Sequence, residues 1–145
     1  MYQNILLAVD LGHREAERRA VDTVVEYARA FGATIHLLNV VPDYGMALVG
    51  GFFPEGFEKQ ALETANRELH AFAAELIPAE IPHRTIVGHG GIYREILHYA
   101  EEIRADLVVM SAHRPELEDY LLGPNAARVV RHAKTSVLVV RPAPT

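Results

Sequence analysis

Short apolar runs alternate with stretches of helical periodicity along this chain, and this alternation limits it to very few folds. Continuous apolar runs are typical of strands buried on both faces of a parallel sheet. They lie at residues 2–9, 34–41, 83–87, 107–110 and 136–141, with helical patterns at 15–31, 57–76, 92–103 and 126–132. The alternation predicts one α/β sandwich around a parallel sheet, with right-handed crossovers.

Size and composition narrow the class of protein. The chain has 145 residues and is half apolar, as expected of one domain over residues 1–145. Its net charge of −5 argues against a nucleic-acid or anionic-membrane partner, since both would repel it. It has no cysteine, which excludes disulfides, thiolate metal sites and a cysteine nucleophile. No signal peptide or membrane segment is apparent, so we expect a soluble cytoplasmic protein.

The ends of the first and fourth predicted strands are the prime candidates for a ligand site. In open parallel sheets, ligands sit at the carboxyl ends of strands, where the strand order reverses. These ends are residues 8–11 and 111–114. Gly123 then opens a helix, whose first turn presents unpaired N–H groups and a partial positive charge. This arrangement is typical of chains that bind nucleotide phosphates.

Several longer motifs point in the same direction. The first strand reads Asn-Ile-Leu-Leu-Ala-Val-Asp up to Asp10, and Gly90 is followed by Ile96-Leu97. The most specific run begins Ser111-Ala112-His113-Arg114-Pro115 and continues with Tyr-Leu-Leu-Gly-Pro-Asn-Ala-Ala over residues 120–127. With these motifs the chain resembles the universal stress protein family over nearly its whole length. The resemblance is to a branch of small bacterial members with Ser-His-Arg-Pro and Tyr-Leu-Leu-Gly-Ser-Asn-Ala-Ala.

The resemblance implies a specific architecture and assembly. It implies a Rossmann-like sheet of five parallel strands in the order 3-2-1-4-5, similar to the adenine nucleotide alpha hydrolases, with two helices on each face. It also implies a homodimer formed by antiparallel pairing of the final strand, from Ser136 to Arg141. Many members bind ATP, with Mg²⁺ held mostly by phosphate oxygens and waters, and others lack the motif and do not bind it.

The nucleotide-binding members carry Gly-x2-Gly-x9-Gly-Ser/Thr after the fourth strand, and this chain departs from that motif. Ser111 stands at the first glycine, Arg114 at the second and Pro124 at the Ser/Thr position. The loop is also one residue shorter, as in the Ser-His-Arg-Pro branch, which includes ATP-binding members. Pro124 removes both an N–H and the family hydroxyl, so we expect weaker ATP binding than in a relative with serine there.

Each main site candidate has a structural alternative. Asp10 lies near the adenosine in the family and could accept a hydrogen bond from a ribose hydroxyl, or could only cap a turn. Val41 could contact adenine or only pack in the core. Gly123 could approach a phosphate or only form a tight turn. Arg114 could pair with phosphates or with a nearby glutamate. The full set of expected binding residues is Ala8, Val9, Asp10, Val41, Gly90, Met110, Ser111, His113, Arg114, Gly123, Pro124, Asn125 and Ala126.

Two other functions stay open beside nucleotide-dependent regulation of a stress response. One is a dimeric interaction module without nucleotide, which contacts an unknown protein partner through the Gly- and Phe-rich residues 49–57. The other is an enzyme of the wider adenine-nucleotide hydrolase superfamily, but residues 10–14 lack the Ser-Gly-Gly-x-Asp-Ser loop of its ATP pyrophosphatases. No nucleophile or water-activating base is apparent, so we expect at most a weak ATPase activity. The eight histidines fall on different elements, and no protein metal site is expected.

Overall fold

A computed structural model describes residues 1–42, 56–112 and 123–141 of the chain. Within these residues five strands and four α-helices alternate, with one short 3-10 helix, Leu11–His13, after the first strand. The strands are β1 Asn4–Ala8, β2 Thr34–Val41, β3 His83–His89, β4 Leu107–Ser111 and β5 Ser136–Val140. The helices are α1 Arg14–Phe31, α2 Phe57–Leu76, α3 Ile92–Glu102 and α4 Pro124–His132.

The strands form one parallel sheet in the order β3-β2-β1-β4-β5, so the expected order 3-2-1-4-5 is confirmed. The central strand β1 pairs with β2 on one side and with β4 on the other. In this register Ala8 stands beside Leu38 of β2 and Met110 of β4. The strand order reverses at β1, which places a topological switch point at its carboxyl end.

Two helices cover each face of the sheet, as expected. Buried residues of α1 and α2, such as Val24 and Phe72, pack with Ile5 and Leu7 of β1. On the opposite face, Ile96 of α3 and Val129 of α4 pack with Leu6 of β1. Leu6 lies between Ile5 and Leu7 in the sequence. Alternate side chains of one strand therefore serve two cores, which explains why the strands read as continuous apolar runs.

Local sequence signals account for the helix ends. Gly32 ends α1 in the left-handed conformation, with φ of 68°, and its N–H bonds to the carbonyl of Ala28. Glycine adopts that conformation without the steric cost of a Cβ atom. At α4, Gly123 is the N-cap and Pro124 occupies the first helical turn, where the missing N–H of proline removes no helical hydrogen bond.

The strand and helix boundaries differ from the sequence prediction in a few places. β3 continues two residues beyond its predicted end at residue 87, through Gly88 and His89, because both residues pair with β2. α4 begins two residues before the predicted Ala126, at Pro124. The final strand ends at Val140 and not at Arg141. Within the described residues, no helix combines the length and the apolar character needed to cross a membrane.

Candidate functional site

A cavity of about 420 Å³ opens at the carboxyl ends of β1 and β4, at the switch point of the sheet. This volume lies within the range of about 300–1,000 Å³ that is typical of small-molecule sites. Its described lining comes from the ends of β1, β2 and β4 and from the first turns of α1, α3 and α4. These residues are Ala8, Val9, Asp10, His13, Glu17, Leu38, Asn39, Val40, Pro42, Ile92, Ile96, Met110, Ser111, Ala112, Gly123, Asn125 and Ala126.

Eight of the predicted binding residues lie together in this lining. Ala8, Val9 and Asp10 come from the end of β1, whereas Met110 and Ser111 come from the end of β4. The remaining three belong to the start of α4, at Gly123, Asn125 and Ala126. These segments are distant in sequence, and they meet because β1 and β4 are neighbours in the sheet.

The other predicted residues fall elsewhere. Val41 is buried and lines a second, shallower depression beside α2, and its carbonyl accepts a 2.9 Å hydrogen bond from the N–H of Gly90. Gly90 has a φ of 126°, a backbone conformation that favours glycine, so its position in the β3–α3 connection accounts for this residue type. Pro124 is exposed, next to the lining. His113, Arg114 and residues 49–55 lie outside the described residues.

The first turn of α4 has backbone N–H groups, on the β4 side of the cavity, that no carbonyl of the helix accepts. The first helical hydrogen bond of α4 runs from the N–H of Ala127 to the carbonyl of Gly123, over 3.0 Å. The N–H groups of Asn125 and Ala126 therefore have no acceptor within the helix. The N-cap residue is Gly123, which has no side chain that could accept a hydrogen bond from these N–H groups. In contrast, the N–H of Ala112 bonds to Val140 in the sheet and is not available for a ligand.

Asp10 lies on the β1 side of the cavity and is held by the turn that follows it. Its Oδ1 accepts a 2.9 Å hydrogen bond from the N–H of Gly12, and its Oδ2 lies 2.9 Å from Nδ1 of His13. Asp10 therefore caps the turn after β1, as one of its two predicted roles requires. Each carboxylate oxygen can accept a further hydrogen bond, so the turn role does not exclude contact with a ligand.

Glu17 is a cavity residue that the sequence analysis missed. It is only 5% exposed and lies in the first turns of α1. The pKa of its carboxyl group is raised to about 8, chiefly by burial and also by the nearby carboxylate of Asp10, while a backbone hydrogen bond from Asp10 acts in the opposite direction. A signal was present in the sequence, because Glu17 stands three and four residues before Ala20 and Val21, on the apolar stripe of the helix.

The cavity residues also include Asn39, Val40 and Pro42 at the end of β2, and Ile92 at the start of α3. The sequence analysis expected only Val41 from β2, whereas alternation along the strand turns its two neighbours in sequence toward this cavity. Ile92 is 45% exposed, which is high for a large apolar side chain. No group of three or more His, Asp or Glu side chains in residues 1–42, 56–112 and 123–141 could hold a metal ion.

Comparisons with known proteins relate this chain to one family and one fold. The sequence model of the family described as "Universal stress protein family" matches residues 1–141. Universal stress protein G of Escherichia coli O157:H7 is 33% identical over 147 residues, which cover 97% of this chain and 100% of that protein. The solved structure of the hypothetical protein MJ0577 superimposes with a TM-score of 0.82 at 24% identity, covering 100% of this chain and 99% of the other.

Two further solved structures share the fold and contain a nucleotide. One is a universal stress protein in complex with cAMP, with a TM-score of 0.62 at 24% identity and coverage of 98% of both chains. The other is the universal stress protein from Archaeoglobus fulgidus in complex with dAMP, with a TM-score of 0.59 at 20% identity. It covers 95% of this chain and 97% of the other.

Proposed function

The chain belongs to the universal stress protein family, and from this premise we propose that it binds ATP in the cavity between β1 and β4. The observation that carries the proposal is the cavity itself, which lies at the switch point of the sheet and has a polar group on each side. Structural neighbours of the same fold are complexes with cAMP and with dAMP, and both ligands are adenine nucleotides.

The charges around the cavity favour one orientation of the bound nucleotide. The N–H groups of Asn125 and Ala126 and the partial positive charge of α4 suit the phosphates. Gly123 leaves room for a phosphate to approach the backbone. Asp10, on the β1 side, would repel phosphates. Its carboxylate would instead accept a hydrogen bond donated by a ribose hydroxyl. Ala8, Val9, Met110 and Ser111 complete the wall between the two ends.

Besides Pro124, four of the expected contact residues lie outside the described lining of the cavity. Val41 and Gly90 lie outside the described lining, so in our proposal they support the β2 and β3 ends and do not bind the nucleotide directly. His113 and Arg114 would contact phosphates from the connection before α4. Mg²⁺ would arrive with the phosphates, since phosphate oxygens and waters usually supply most of its ligands.

We further propose that the protein acts as a cytoplasmic homodimer that signals nucleotide state in a stress response. The final strand supports this assembly. β5 lies at an edge of the sheet and pairs with β4 alone among the described strands. An apolar edge strand with unpaired backbone groups favours pairing with a second copy.

Calorimetric titration of nucleotide-stripped protein tests the ATP proposal. We expect saturable binding of Mg-ATP near one per subunit and much weaker binding of Mg-GTP, with cAMP and AMP as shorter adenine ligands. No heat with about 1 mM ATP at two temperatures, together with an unchanged thermal-unfolding midpoint, would contradict the proposal. A binding free energy of about 4 kcal/mol corresponds to a millimolar dissociation constant, so this concentration detects even weak binding.

The interaction-module alternative predicts a different result. Pro124 favours this alternative, because the first turn of α4 lacks the N–H and the hydroxyl that nucleotide-binding relatives carry there. If it holds, ATP gives no heat while the dimer persists in sedimentation velocity. The same two measurements thus separate the two functions.

A further inference from the structure

Glu17 is a buried acidic side chain in the wall of the candidate nucleotide site. It is the only aspartate or glutamate that is buried within residues 1–42, 56–112 and 123–141. It also lines the switch-point cavity, together with Asp10 and His13. Burying a carboxyl group is costly unless hydrogen bonds compensate it, so the position of Glu17 calls for an explanation.

The hydrogen bonds of Glu17 within the protein are incomplete. The backbone of Asp10 provides one hydrogen bond. The buried Oε2, in contrast, has no hydrogen-bond partner among the residues that the structure describes. Burial and the neighbouring Asp10 carboxylate both favour the neutral form, with a pKa of about 8, so the group carries a proton at neutral pH. A neutral carboxyl group has one O–H donor, and this donor has no acceptor among residues 1–42, 56–112 and 123–141.

We propose that Glu17 contacts the ligand directly, by donating a hydrogen bond from its buried carboxyl group to an uncharged acceptor on the nucleoside part of the nucleotide. The inference rests on the proposed ATP function of the same cavity. The acceptor is a ring nitrogen of the base or an oxygen of the ribose. A phosphate is the poorer candidate, because Glu17 lies beside the Asp10 carboxylate while the phosphate-binding amides belong to α4.

Substitutions at Glu17 test the contact at constant pH. Glu17→Gln keeps a neutral side chain of the same shape with N–H donors, and Glu17→Leu removes the donor. We expect Glu17→Gln to bind Mg-ATP within about threefold of the wild type at pH 7, and Glu17→Leu to bind about tenfold more weakly. Glu15→Gln and Glu15→Leu are the matched controls, since the Glu15 side chain is on the same helix and is 86% exposed. Thermal unfolding of each variant checks that it is folded.

A pH series adds a readout that a merely structural role would not move. The cavity-lining titratable groups beside Glu17 in the described residues are Asp10 and His13, and all variants keep both. Between pH 7 and 9 Glu17 ionises and loses its donor, so wild-type affinity should fall about tenfold. The affinity of Glu17→Gln should change much less over the same range. Because this comparison needs only the wild type and the isosteric variant, it holds even if Glu17→Leu fails to fold.

Nucleotide analogues identify the acceptor. The 2′-deoxy and 3′-deoxy forms of ATP remove ribose oxygens, and the 1-deaza, 3-deaza and 7-deaza forms remove ring nitrogens. The analogue that lacks the acceptor should bind wild type and Glu17→Leu with the same reduced affinity, whereas ATP distinguishes them. ATP binding by the wild type with equal affinity in Glu17→Leu and no pH difference from Glu17→Gln would overturn the Glu17 contact and leave the ATP function intact. Absence of ATP binding by the wild type would overturn both.

Discussion

Oδ2 of Asp10 lies 2.9 Å from Nδ1 of His13, and this contact links two residues on the β1 side of the cavity. The other oxygen of Asp10 accepts the N–H of Gly12, so both oxygens of the carboxylate are oriented by the turn after β1. Asp10 caps the 3-10 helix Leu11–His13 through this bond. An oriented carboxylate is a better ligand group than a freely rotating one, because less conformational entropy is lost on binding.

Substitution of Asp10 should separate its capping role from its binding role. Asn is as good a cap as Asp, so Asp10→Asn should keep the stability within a few tenths of a kcal/mol, whereas Asp10→Ala should lose about 1 kcal/mol. Both variants lose the charged acceptor for a ribose hydroxyl and should bind ATP about tenfold more weakly. Urea unfolding and calorimetry measure the two effects. Asp22→Asn, at an exposed position of α1, is the matched control. Wild-type affinity in Asp10→Asn would rule out the contact.

Pro124 gives a substitution that should improve binding. It occupies the first turn of α4, beside the lining residues Gly123 and Asn125. Pro124→Ser restores one N–H and one hydroxyl at the phosphate end, and one charge-assisted hydrogen bond is worth roughly 1.5–3 kcal/mol. We therefore expect ATP affinity to rise about tenfold or more. Pro124→Ala restores only the N–H and separates the two contributions.

The fold could be predicted from the sequence because its signals are local and consistent. The apolar runs of β1, β2 and β4 are buried on both faces of the sheet, those of the edge strands β3 and β5 are mostly half-buried, and the helical patterns match α1 to α4 in number and order. The strand order came from the family resemblance and agrees with the pairing of β1 with β2 and β4. The first helical pattern was predicted to end at residue 31, and α1 ends there, with Gly32 following at a positive φ.

The site was less predictable because its wall depends on side-chain direction and on long-range packing. The residues just after β1 and β4 could be chosen from the switch-point rule, and Asp10, Ser111 and Gly123 do meet in the cavity. Val41 lies outside the described lining and its neighbour Val40 lies in it, since one step along a strand reverses the side chain. The contact of Val41 with adenine stays a prediction. Glu17 was missed because a glutamate on a helix is usually solvated.

The raised pKa of Glu17 should appear in the pH dependence of stability. The unfolded chain loses this proton near pH 4.5 and the folded chain near pH 8, so between these values the folded protein holds more protons. Its stability contribution is therefore complete below pH 4.5 and is lost as the pH rises through 8. The loss amounts to at most about 5 kcal/mol. Urea unfolding of wild type and Glu17→Gln at pH 5 and pH 9 should show a steeper decline in the wild type, and parallel curves would contradict the assigned burial.

His36 should make the stability of the protein depend on pH in the opposite sense, and at lower pH. It is buried in β2, its Nε2 lies 3.1 Å from Oδ1 of Asn4, and burial together with Arg84 on β3 lowers its pKa below 6.5. Below pH 6.5 the unfolded chain binds a proton that the folded chain resists, so stability falls as the pH falls. His36→Leu should lose less stability than the wild type between pH 7.5 and 5 in urea unfolding. His98→Leu, on α3, is a control for the loss of a histidine elsewhere.

A substitution on the outer edge of β5 can test the proposed dimer without unfolding the monomer. The carbonyl of Val140 accepts a hydrogen bond from Ala112 after β4, so the backbone of Val140 faces β4. Backbone groups of neighbouring residues face opposite sides of a strand, so the N–H of Val139 points away from β4. Val139→Pro removes this outward donor without removing an observed hydrogen bond of the sheet, and proline is tolerated on edge strands where the N–H faces outward.

We expect Val139→Pro to convert the proposed dimer to a monomer in sedimentation velocity, because strand pairing between two copies needs the outward N–H groups. Its thermal midpoint at low protein concentration should stay close to that of the dissociated wild type. Leu138→Pro is the contrasting variant, since its N–H faces β4 and its loss should unfold the sheet edge. A Val139→Pro protein that stays dimeric would place the interface away from β5. A wild type that is monomeric at all concentrations would contradict the dimer itself.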